Sequence, residues 1–253
     1  MLTLRKGHLL ARLACSDEDL LAAQRLRHRA FIAGRPGATP RPGALDSDAF
    51  DGACRHVLVE DAGTGALLCC FRLLPLAVGA EIGRSYSAQY YELSALAGYR
   101  GRMVEMGRFC IHPDHGHDPD ILRLAWGAMA RIVDAEGVGM LFGCSSFEGT
   151  EAERYRDAFA LLKERHLAPR RWLPRIKAPR VVPYARRLQA ARPDLRRAMA
   201  SLPPLLRSYL SMGGWVSDHA VVDTDLNTLH VFTGLEIAAI PPARARLLRA
   251  AAA

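Results

Sequence analysis

The stretch Met103-Val104-Glu105-Met106-Gly107-Arg108-Phe109-Cys110-Ile111-His112-Pro113 decides how the chain is interpreted. It is apolar enough to form a buried β-strand, yet it carries a carboxylate at Glu105 and a guanidinium at Arg108. An unpaired buried charge costs several kcal/mol, so such a strand pairs its charges or presents them to a ligand. Residues three apart in a regular strand point to opposite faces. We therefore expect a β-bulge at Gly107 that turns both side chains toward one cleft.

The composition is that of a folded protein with an anionic partner. The chain has 253 residues, of which 50% are apolar, and a formal net charge of +8. A charge surplus of this size favours nucleic acid, an acidic membrane surface or an acidic carrier protein as partner, without choosing among them.

The cysteine pattern and the hydrophobic runs predict a cytoplasmic protein. The six cysteines form no Cys-x-x-Cys pair, and most of them lie in or beside apolar runs, which is typical of reduced buried thiols. Arg12 interrupts the apolar run at Leu9-Leu10-Ala11 too early for a secretory signal. No run approaches the ~18 apolar residues of a membrane span, so any contact with the inner membrane is expected to be peripheral.

The first third of the chain brings acidic residues next to a helix and a hairpin. Ser16 is a good N-cap for a helix that continues to Phe31, and glycine and proline predict an exposed loop over residues 34–43. Three acids follow around Phe50. The runs at residues 55–60 and 66–74 predict a β-hairpin, and its second strand contains the charged Arg72. The three acids are Asp46, Asp48 and Asp51.

Beyond the opening stretch, the pattern alternates between helix and strand. Apolar residues at helical spacing predict a helix from Pro119 to Glu136, and a strand parallel to the first is predicted at residues 140–146. Thr150 and Glu153 suggest a capping box for a helix that ends near Glu164. A short helix is predicted over residues 202–212, and residues 215–240 are β-rich.

A basic segment lies between these elements. Residues 165–187 contain no acid and four prolines, so this segment cannot form one helix. Only Trp172 and Tyr184 are available for stacking on bases, which disfavours nucleic acid as the partner. The segment contains eight cations: Arg165, Arg170, Arg171, Arg175, Lys177, Arg180, Arg186 and Arg187.

Six short segments in order resemble the ornithine N-acyltransferases that make lyso-ornithine lipid. These enzymes are relatives of the acyl-homoserine-lactone synthases and share the GCN5-related N-acyltransferase (GNAT) fold. The sequence departs from the family pattern at Arg55, where an acid is usual, and at residues 115–118, in the loop expected near the donor's phosphate. The matching segments are residues 22–31, 50–59, 72–75, 105–111, 203–210 and 222–228.

The resemblance implies a fold, a reaction and a domain organisation. The expected class is α/β (α+β), with a GNAT-like mixed sheet flanked by helices and a parallel pair of strands that separate around an acyl thioester. One acyltransferase domain is expected over residues 1–253, with a core at about 8–164, completed by a basic helical and loop region at 165–212, which includes the basic segment, and by a β-rich end at 213–240. The implied reaction moves a 3-hydroxyacyl chain from the phosphopantetheine thioester of acyl carrier protein to the α-amine of L-ornithine, and no other cofactor is expected.

The chemistry of this reaction assigns roles to the charged residues. A base must take the ammonium proton, and the buried carboxyl group of Glu105 is the candidate. A cation must hold the amino acid's carboxylate, for which Arg108, Arg72 and Arg27 are candidates. Asp46, Asp48 and Asp51 are candidates for the side-chain ammonium, and Phe31 and Phe50 are expected to wall the site. For each residue a purely structural role stays open: an ion pair, a helix cap or core packing.

The remaining candidates are a docking surface and two kinds of site that we reject. Arg170, Arg171 and Arg175 are expected to dock acyl carrier protein, with an anionic membrane face as the alternative. Cys110 and Cys144 have no activating neighbours in the sequence, which disfavours a covalent acyl-enzyme. The histidines at 112, 115 and 117 lie in a predicted turn, so no metal site is expected.

Two alternative functions remain open. An acyl-homoserine-lactone synthase would use S-adenosylmethionine, but those enzymes are usually shorter and lack the basic segment and the β-rich end. A non-catalytic basic binding module would have no need of Glu105 and Arg108 in a core strand.

Overall fold

The computed structural model describes residues 2–33 and 42–250 of the chain. Residues 34–41 of the predicted loop lie outside the described residues. The strands are β1 (Thr3–Lys6), β2 (Leu9–Leu13), β3 (Arg55–Asp61), β4 (Leu67–Leu76), β5 (Tyr91–Glu92), β6 (Arg102–Ile111), β7 (Val138–Glu148), β8 (Arg175–Ile176), β9 (Val181–Val182), β10 (Trp215–Val216), β11 (Ala220–Asp223) and β12 (Thr228–Glu236). The helices are α1 (Asp17–Phe31), α2 (Pro119–Glu136), α3 (Arg156–Arg165), α4 (Tyr184–Arg187), α5 (Leu195–Ser201), α6 (Pro204–Ser211) and α7 (Pro242–Ala250).

The described residues group into two compact units. The first contains the residues up to Pro75, Met106–Gly137 and those from Pro242 onward, and the second contains Leu76–Glu105 and Val138–Pro241. The chain passes between the units four times, so neither unit is a continuous stretch of sequence. Strand β6 contributes its first residues, through Glu105, to the second unit and the rest to the first. A single domain over residues 1–253 stays a prediction.

In the first unit, the strand order is β1-β2-β3-β4-β6. The predicted hairpin is confirmed, because β3 and β4 pair antiparallel from Arg55 opposite Leu73 to Glu60 opposite Leu67. Helix α1 begins after Ser16, whose side chain accepts a hydrogen bond from the Asp19 N–H, as the N-cap prediction requires. The antiparallel pair of β1 and β2 was not predicted.

In the second unit, the strand order is β6-β7-β12-β11-β9, and β10 also pairs with β12. Strands β6 and β7 are parallel, as predicted, and their register runs from Arg102 opposite Val138 to Glu105 opposite Phe142. Strand β12 is antiparallel to β7 over nine residue pairs. The unit therefore contains a mixed sheet, and the parallel ladder includes Glu105 as its last pair.

Helices cover the sheets through apolar faces. Helix α2 has the predicted bounds, and Gly137 ends it in the left-handed conformation at φ 61°. The predicted capping box at Thr150 is wrong: residues Ala152–Tyr155 form a 3-10 turn, and α3 begins only at Arg156. Within the described residues, none of the helices combines the length and apolar character needed to cross a bilayer.

Candidate active site

Three arginines and three aspartates of the first unit form one buried group, here called the arginine–aspartate network. Arg27 comes from α1 and Arg72 from β4, while Arg108 comes from the second half of β6. The aspartates come from the segment between α1 and β3. All six residues were predicted as site residues from the sequence, and the structure brings them together: Arg27, Arg72, Arg108, Asp46, Asp48 and Asp51.

Each arginine of the network contacts two aspartates. Arg27 donates from Nη1 to Asp51 Oδ1 at 2.7 Å and from Nε to Asp46 Oδ2 at 3.1 Å. Arg72 donates from Nη1 to Asp48 Oδ1 at 2.5 Å and to Asp51 Oδ1 at 2.6 Å. Because three cations face three anions, each buried charge has its counter-charge, and the network is close to neutral.

Arg108 completes the network at its more exposed edge. Its Nε lies 3.0 Å from Asp46 Oδ2, and its Nη2 lies 3.1 Å from Asp48 Oδ2. The side chains of Arg108 and Asp48 are 12% and 22% exposed, whereas that of Asp46 is fully buried. A ligand from solvent would therefore meet the network at Arg108 and Asp48.

Burial and ion pairing oppose each other in the ionisation of the aspartates. Burial alone would raise the pKa of Asp51, but hydrogen bonds from Arg27, Gln24 and Arg72 bring it well below the ordinary value. Burial likewise opposes the effect of Arg72 and Arg108 on Asp48, whose pKa is also lowered. Both carboxylates are therefore ionised at neutral pH.

The backbone of β6 departs from strand geometry at Arg108. Its φ is +53°, in the left-handed region that non-glycine residues rarely adopt, whereas Gly107 is not in that region. We expected the irregularity at Gly107, and the structure places it one residue later. The contacts of the Arg108 side chain with Asp46 and Asp48 offset the strain of this conformation.

Glu105 is held by a different part of the chain. Its Oε2 accepts a hydrogen bond from the Tyr86 N–H at 2.7 Å, and its Oε1 accepts from the Ser87 N–H at 2.7 Å and from Ser87 Oγ at 2.5 Å. The residue is only 4% exposed. Three donors from two adjacent residues fix the orientation of this carboxylate in the second unit.

Two other side chains of the second unit lie near this carboxylate. Ser87 Oγ is 3.4 Å from Cys144 Sγ. Burial, followed by the negative charge of Glu105, raises the pKa of Tyr209, so this phenol stays protonated at neutral pH. Tyr209 lies within one of the six family segments, although the sequence assigned it no role.

The surroundings of Cys110 and of the histidines bear on whether they could act as a nucleophile or as metal ligands. Cys110 is buried with its Sγ 3.5 Å from Cys70 Sγ, and burial raises the pKa of its thiol, which disfavours a nucleophilic thiolate. Among the described residues, no group of three or more His, Cys, Asp or Glu side chains is arranged to hold a metal ion. His112 contacts Arg29 Nη1 through its Nε2 at 2.5 Å.

The structure gives the surroundings of the two phenylalanines and the three arginines that were predicted to wall the site and to dock a partner. The Arg72 guanidinium lies over the Phe50 ring at 5.6 Å from its centre, and Phe31 packs against the buried cluster under α1. The predicted docking residues Arg170, Arg171 and Arg175 are exposed, as are the other cations of the basic segment. The Arg171 guanidinium also lies 3.2 Å from the Glu236 carboxylate and 5.2 Å from the centre of the Trp172 ring.

Sequence reasoning missed several residues that hold the charged groups. Gln24 donates to Asp51 Oδ2 at 3.0 Å. Gln24 lies three residues before Arg27 on α1, so helical periodicity could have predicted that both side chains lie on the same face. Ser87 and Tyr86 had no such signal, because a contact with Glu105 about eighteen residues away in sequence leaves no local pattern. Arg55, which departs from the family pattern, is paired with Glu136 at the end of α2.

Comparison with known proteins concerns the family and the fold. A family model described as an acetyltransferase (GNAT) domain matches residues 26–126. The CoA-dependent acyl-homoserine lactone synthase BjaI has a similar fold, with a TM-score of 0.51 at 14% identity over 92% of this chain and 82% of that one. The N-acyl amino acid synthase FeeM, from uncultured soil microbes, gives a TM-score of 0.50 at 10% identity over 91% and 90% of the two chains. The family match and the mixed sheet flanked by helices thus place the chain in the GNAT class.

The sequence relatives define the family within that class. The L-ornithine N(alpha)-acyltransferase of Rhodobacter capsulatus is 35% identical over 87% of this chain and 86% of its own. The protein of the same name from Agrobacterium fabrum is 27% identical over 93% of this chain and 83% of its own. The chain belongs to the L-ornithine N(alpha)-acyltransferase family, which confirms the resemblance seen in the six segments.

Proposed function

We propose that this protein transfers an acyl chain from a thioester to the α-amine of L-ornithine. The observation that carries the proposal is the buried Glu105 carboxylate at the last pair of the parallel ladder of β6 and β7. A binding module has no need of an oriented carboxylate in the interior of a sheet. The names of the curated relatives supply the acceptor, L-ornithine.

The reaction requires the loss of a proton from the acceptor. The α-ammonium of ornithine must be deprotonated before its nitrogen attacks the thioester carbonyl, and the thiolate must be protonated as it leaves. Glu105 is the proposed base, acting directly or through a water molecule. Burial and then the negative charge of Glu105 raise the pKa of Tyr209, so its phenol is protonated at neutral pH. Tyr209 is therefore proposed as the proton donor to the leaving thiolate.

Stabilisation of the thioester oxyanion is assigned to the backbone of β7. This strand continues from Gly143 to Glu148 beyond the residues paired with β6, while its other edge is paired with β12. In an antiparallel ladder, alternate residues direct their N–H groups away from the partner strand. N–H groups of β7 beyond Phe142 are therefore proposed as oxyanion donors.

Recognition of ornithine is assigned to the exposed edge of the arginine–aspartate network. Arg108 is proposed to hold the α-carboxylate, and Asp48 the side-chain ammonium, because these two members are the most exposed. The buried members (Arg27, Asp46, Asp51 and Arg72) would orient them. Phe31 and Phe50 are proposed to wall this part of the site.

The donor is proposed to be a 3-hydroxyacyl chain on acyl carrier protein. The resemblance to enzymes of lyso-ornithine lipid synthesis supplies this donor. A strongly acidic carrier is complementary to the exposed arginines at 170, 171 and 175. An anionic membrane face is the alternative partner of the same arginines.

Release of free thiol tests the proposal directly. Purified protein with 3-hydroxyacyl carrier protein should release thiol in step with the ornithine consumed, and extraction should yield the acylated amino acid. Thiol release that ignores ornithine but requires S-adenosylmethionine would assign the protein to lactone synthesis instead. The absence of thiol release with either acceptor would leave a binding function and refute the proposal.

A further inference from the structure

Residues 86–92, here called the strap, connect two features of the second unit that the sequence treats as separate. Their first two residues supply every hydrogen bond to Glu105 described above. Their last two residues form β5, which pairs antiparallel with β8, with Tyr91 opposite Ile176 and Glu92 opposite Arg175. Strand β8 belongs to the basic segment.

Further contacts connect the same two features. The Ala178 N–H donates to the Tyr90 carbonyl at 2.9 Å, and Lys177 Nζ donates to the Ala88 carbonyl at 2.5 Å. The ammonium group of Lys177, in the basic segment, therefore binds the backbone near the middle of the strap. Ala88 is the middle residue of the 3-10 turn Ser87–Gln89, so Lys177 binds the same turn that carries Ser87.

The strap is held to the sheet as well as to the basic segment. Tyr91 Oη donates to the His230 carbonyl on β12 at 2.7 Å, and the Tyr91 side chain is almost completely buried. Tyr91 lies four residues after Ser87, so the pairing with β8, the contact with β12 and the hydrogen bonds to Glu105 all belong to one short segment.

We propose that the strap couples the basic segment to Glu105, with Ser87 as a positioning residue for that carboxylate and Lys177 as the connecting residue. Arg175 of β8 lies opposite Glu92 of the strap, with its Nε 3.9 Å from Glu92 Oε2. The paired state of β5 and β8 favours the orientation of Tyr86 and Ser87 that holds Glu105. The part of this inference that concerns catalysis rests on the proposed function.

Hydrogen exchange tests the coupling without reference to activity. The amide protons of Tyr86 and Ser87 are bonded to Glu105, so their exchange reports on the state of the strap. Lys177→Met should raise exchange in a peptide that covers residues 86–92 by about tenfold. The matched control Arg192→Met removes one exposed cation outside the basic segment and should leave that peptide unchanged. Equal exchange in both variants and the wild type would refute the coupling.

Kinetics test the positioning role of Ser87. Ser87→Ala removes one donor and keeps both backbone N–H groups on the carboxylate, so the ionised base loses part of its stabilisation. The acidic limb of the pH profile of kcat/KM should move to higher pH by about one unit, and kcat should fall by about tenfold. Lys177→Met should move the limb in the same direction by less, while Arg192→Met should not move it.

The outcomes separate this inference from the proposed function. A wild-type protein without ornithine-dependent thiol release would refute the function, while the exchange experiment would still decide the coupling. If Ser87→Ala lowers activity only in proportion to the folded fraction, with an unmoved pH profile, Ser87 is merely structural and the positioning role is wrong. If Ser87→Ala fails to fold, the pH profile of the surface variant Lys177→Met decides the same question.

Discussion

A charge buried in a sheet needs partners that local sequence does not supply. Arg27 has a side chain that is only 1% exposed, and it is stable there because Asp46 and Asp51 meet it from a segment about twenty residues away. Removing one partner of such a group leaves an uncompensated charge, which destabilises a protein by about 3–5 kcal/mol. This requirement explains why every arginine of the network is paired with aspartates of the same chain.

The first prediction at the residue scale concerns the proposed base. Glu105→Gln keeps the shape of the side chain but removes its charge, so kcat should fall by about 10²–10⁴-fold while the protein stays folded. Higher pH should partly rescue the turnover, because more of the ornithine α-amine is then already neutral. Steady-state kinetics from pH 6 to 10 and thermal unfolding measure both effects.

Arg108→Lys is the companion variant to Glu105→Gln. It keeps the cation but loses the planar fork, so its loss should appear mainly in KM for ornithine. If both variants unfold together at lower temperature, with unchanged turnover per folded molecule, Glu105 and Arg108 have structural roles only.

The second prediction concerns the buried His230. Burial, followed by the effect of His219, lowers its pKa to about 4 from an ordinary value of 6.5. Between these values the unfolded chain binds a proton that the folded protein does not, so the free energy of unfolding rises with pH across this window. The contribution of the neutral His230 to the free energy of unfolding is lost completely below pH 4 and is fully present above pH 6.5. A shift of this size corresponds to about 3 kcal/mol at most.

Denaturant unfolding at pH 4.5 and 7 measures this effect. His230→Gln should reduce the difference in stability between the two pH values, while the exposed His117→Gln should leave the difference as in the wild type. An unchanged difference in His230→Gln would show that this imidazole does not govern the acid sensitivity.

At the element scale, the ends of the helices follow from short-range interactions. Gly137 ends α2 at φ 61°, and its N–H donates to the Val133 carbonyl. Gly137→Ala should lower the free energy of unfolding by about 1 kcal/mol, because a Cβ is strained in this conformation although space is available around it. Gly137→Asn should lose less, since asparagine tolerates the left-handed region.

Gly83→Ala is the matched control for this cap. Gly83 also has open space around its Cβ position but no positive φ, so the substitution should be close to neutral. Urea unfolding of the three variants measures the effects. A loss in Gly83→Ala as large as that in Gly137→Ala would show that the left-handed conformation is not the cause.

The element scale also shows where periodicity was insufficient. Thr150 and Glu153 have the spacing of a capping box, but the chain turns through residues Ala152–Tyr155 as a 3-10 turn before α3 begins. The Tyr155 hydroxyl donates to the Glu148 carbonyl at 2.6 Å, and its ring packs against Phe147. Tertiary packing of this tyrosine prevailed over the local capping preference.

At the scale of the whole molecule, the surplus of positive charge concerns partners and not the fold. Reversing Arg170, Arg171 and Arg175 to Glu should raise the apparent KM for acyl carrier protein and weaken its salt dependence, with little change of turnover at saturation. Reversal of three other exposed arginines, at 192, 196 and 207, changes the net charge equally and should affect KM much less. Unaltered KM with lost binding to anionic vesicles would assign the surface to the membrane.

The sequence by itself determined the elements whose signals are local. The bounds of α2, the hairpin of β3 and β4, the parallel pair of β6 and β7 and the Ser16 cap follow from periodicity, turn residues and capping, which act over a few residues. Local patterns singled out Arg72 and Arg108 as charges in strands and the three aspartates as an acidic loop, whereas Arg27 became a candidate through the family resemblance. They left the β1–β2 hairpin, α5 and α7 unrecognised, because these short elements carry weak periodic signals.

Only the tertiary structure decided which charges meet. Arg108 rather than Gly107 adopts the left-handed conformation, and its guanidinium contacts aspartates some sixty residues away in sequence. Glu105 is held by Tyr86 and Ser87, for which no pattern in the chain indicated a role. Hydrogen bonds and ion pairs act over about 3 Å whatever the separation along the chain. Their partners are therefore set by the folded path of the chain and not by sequence spacing.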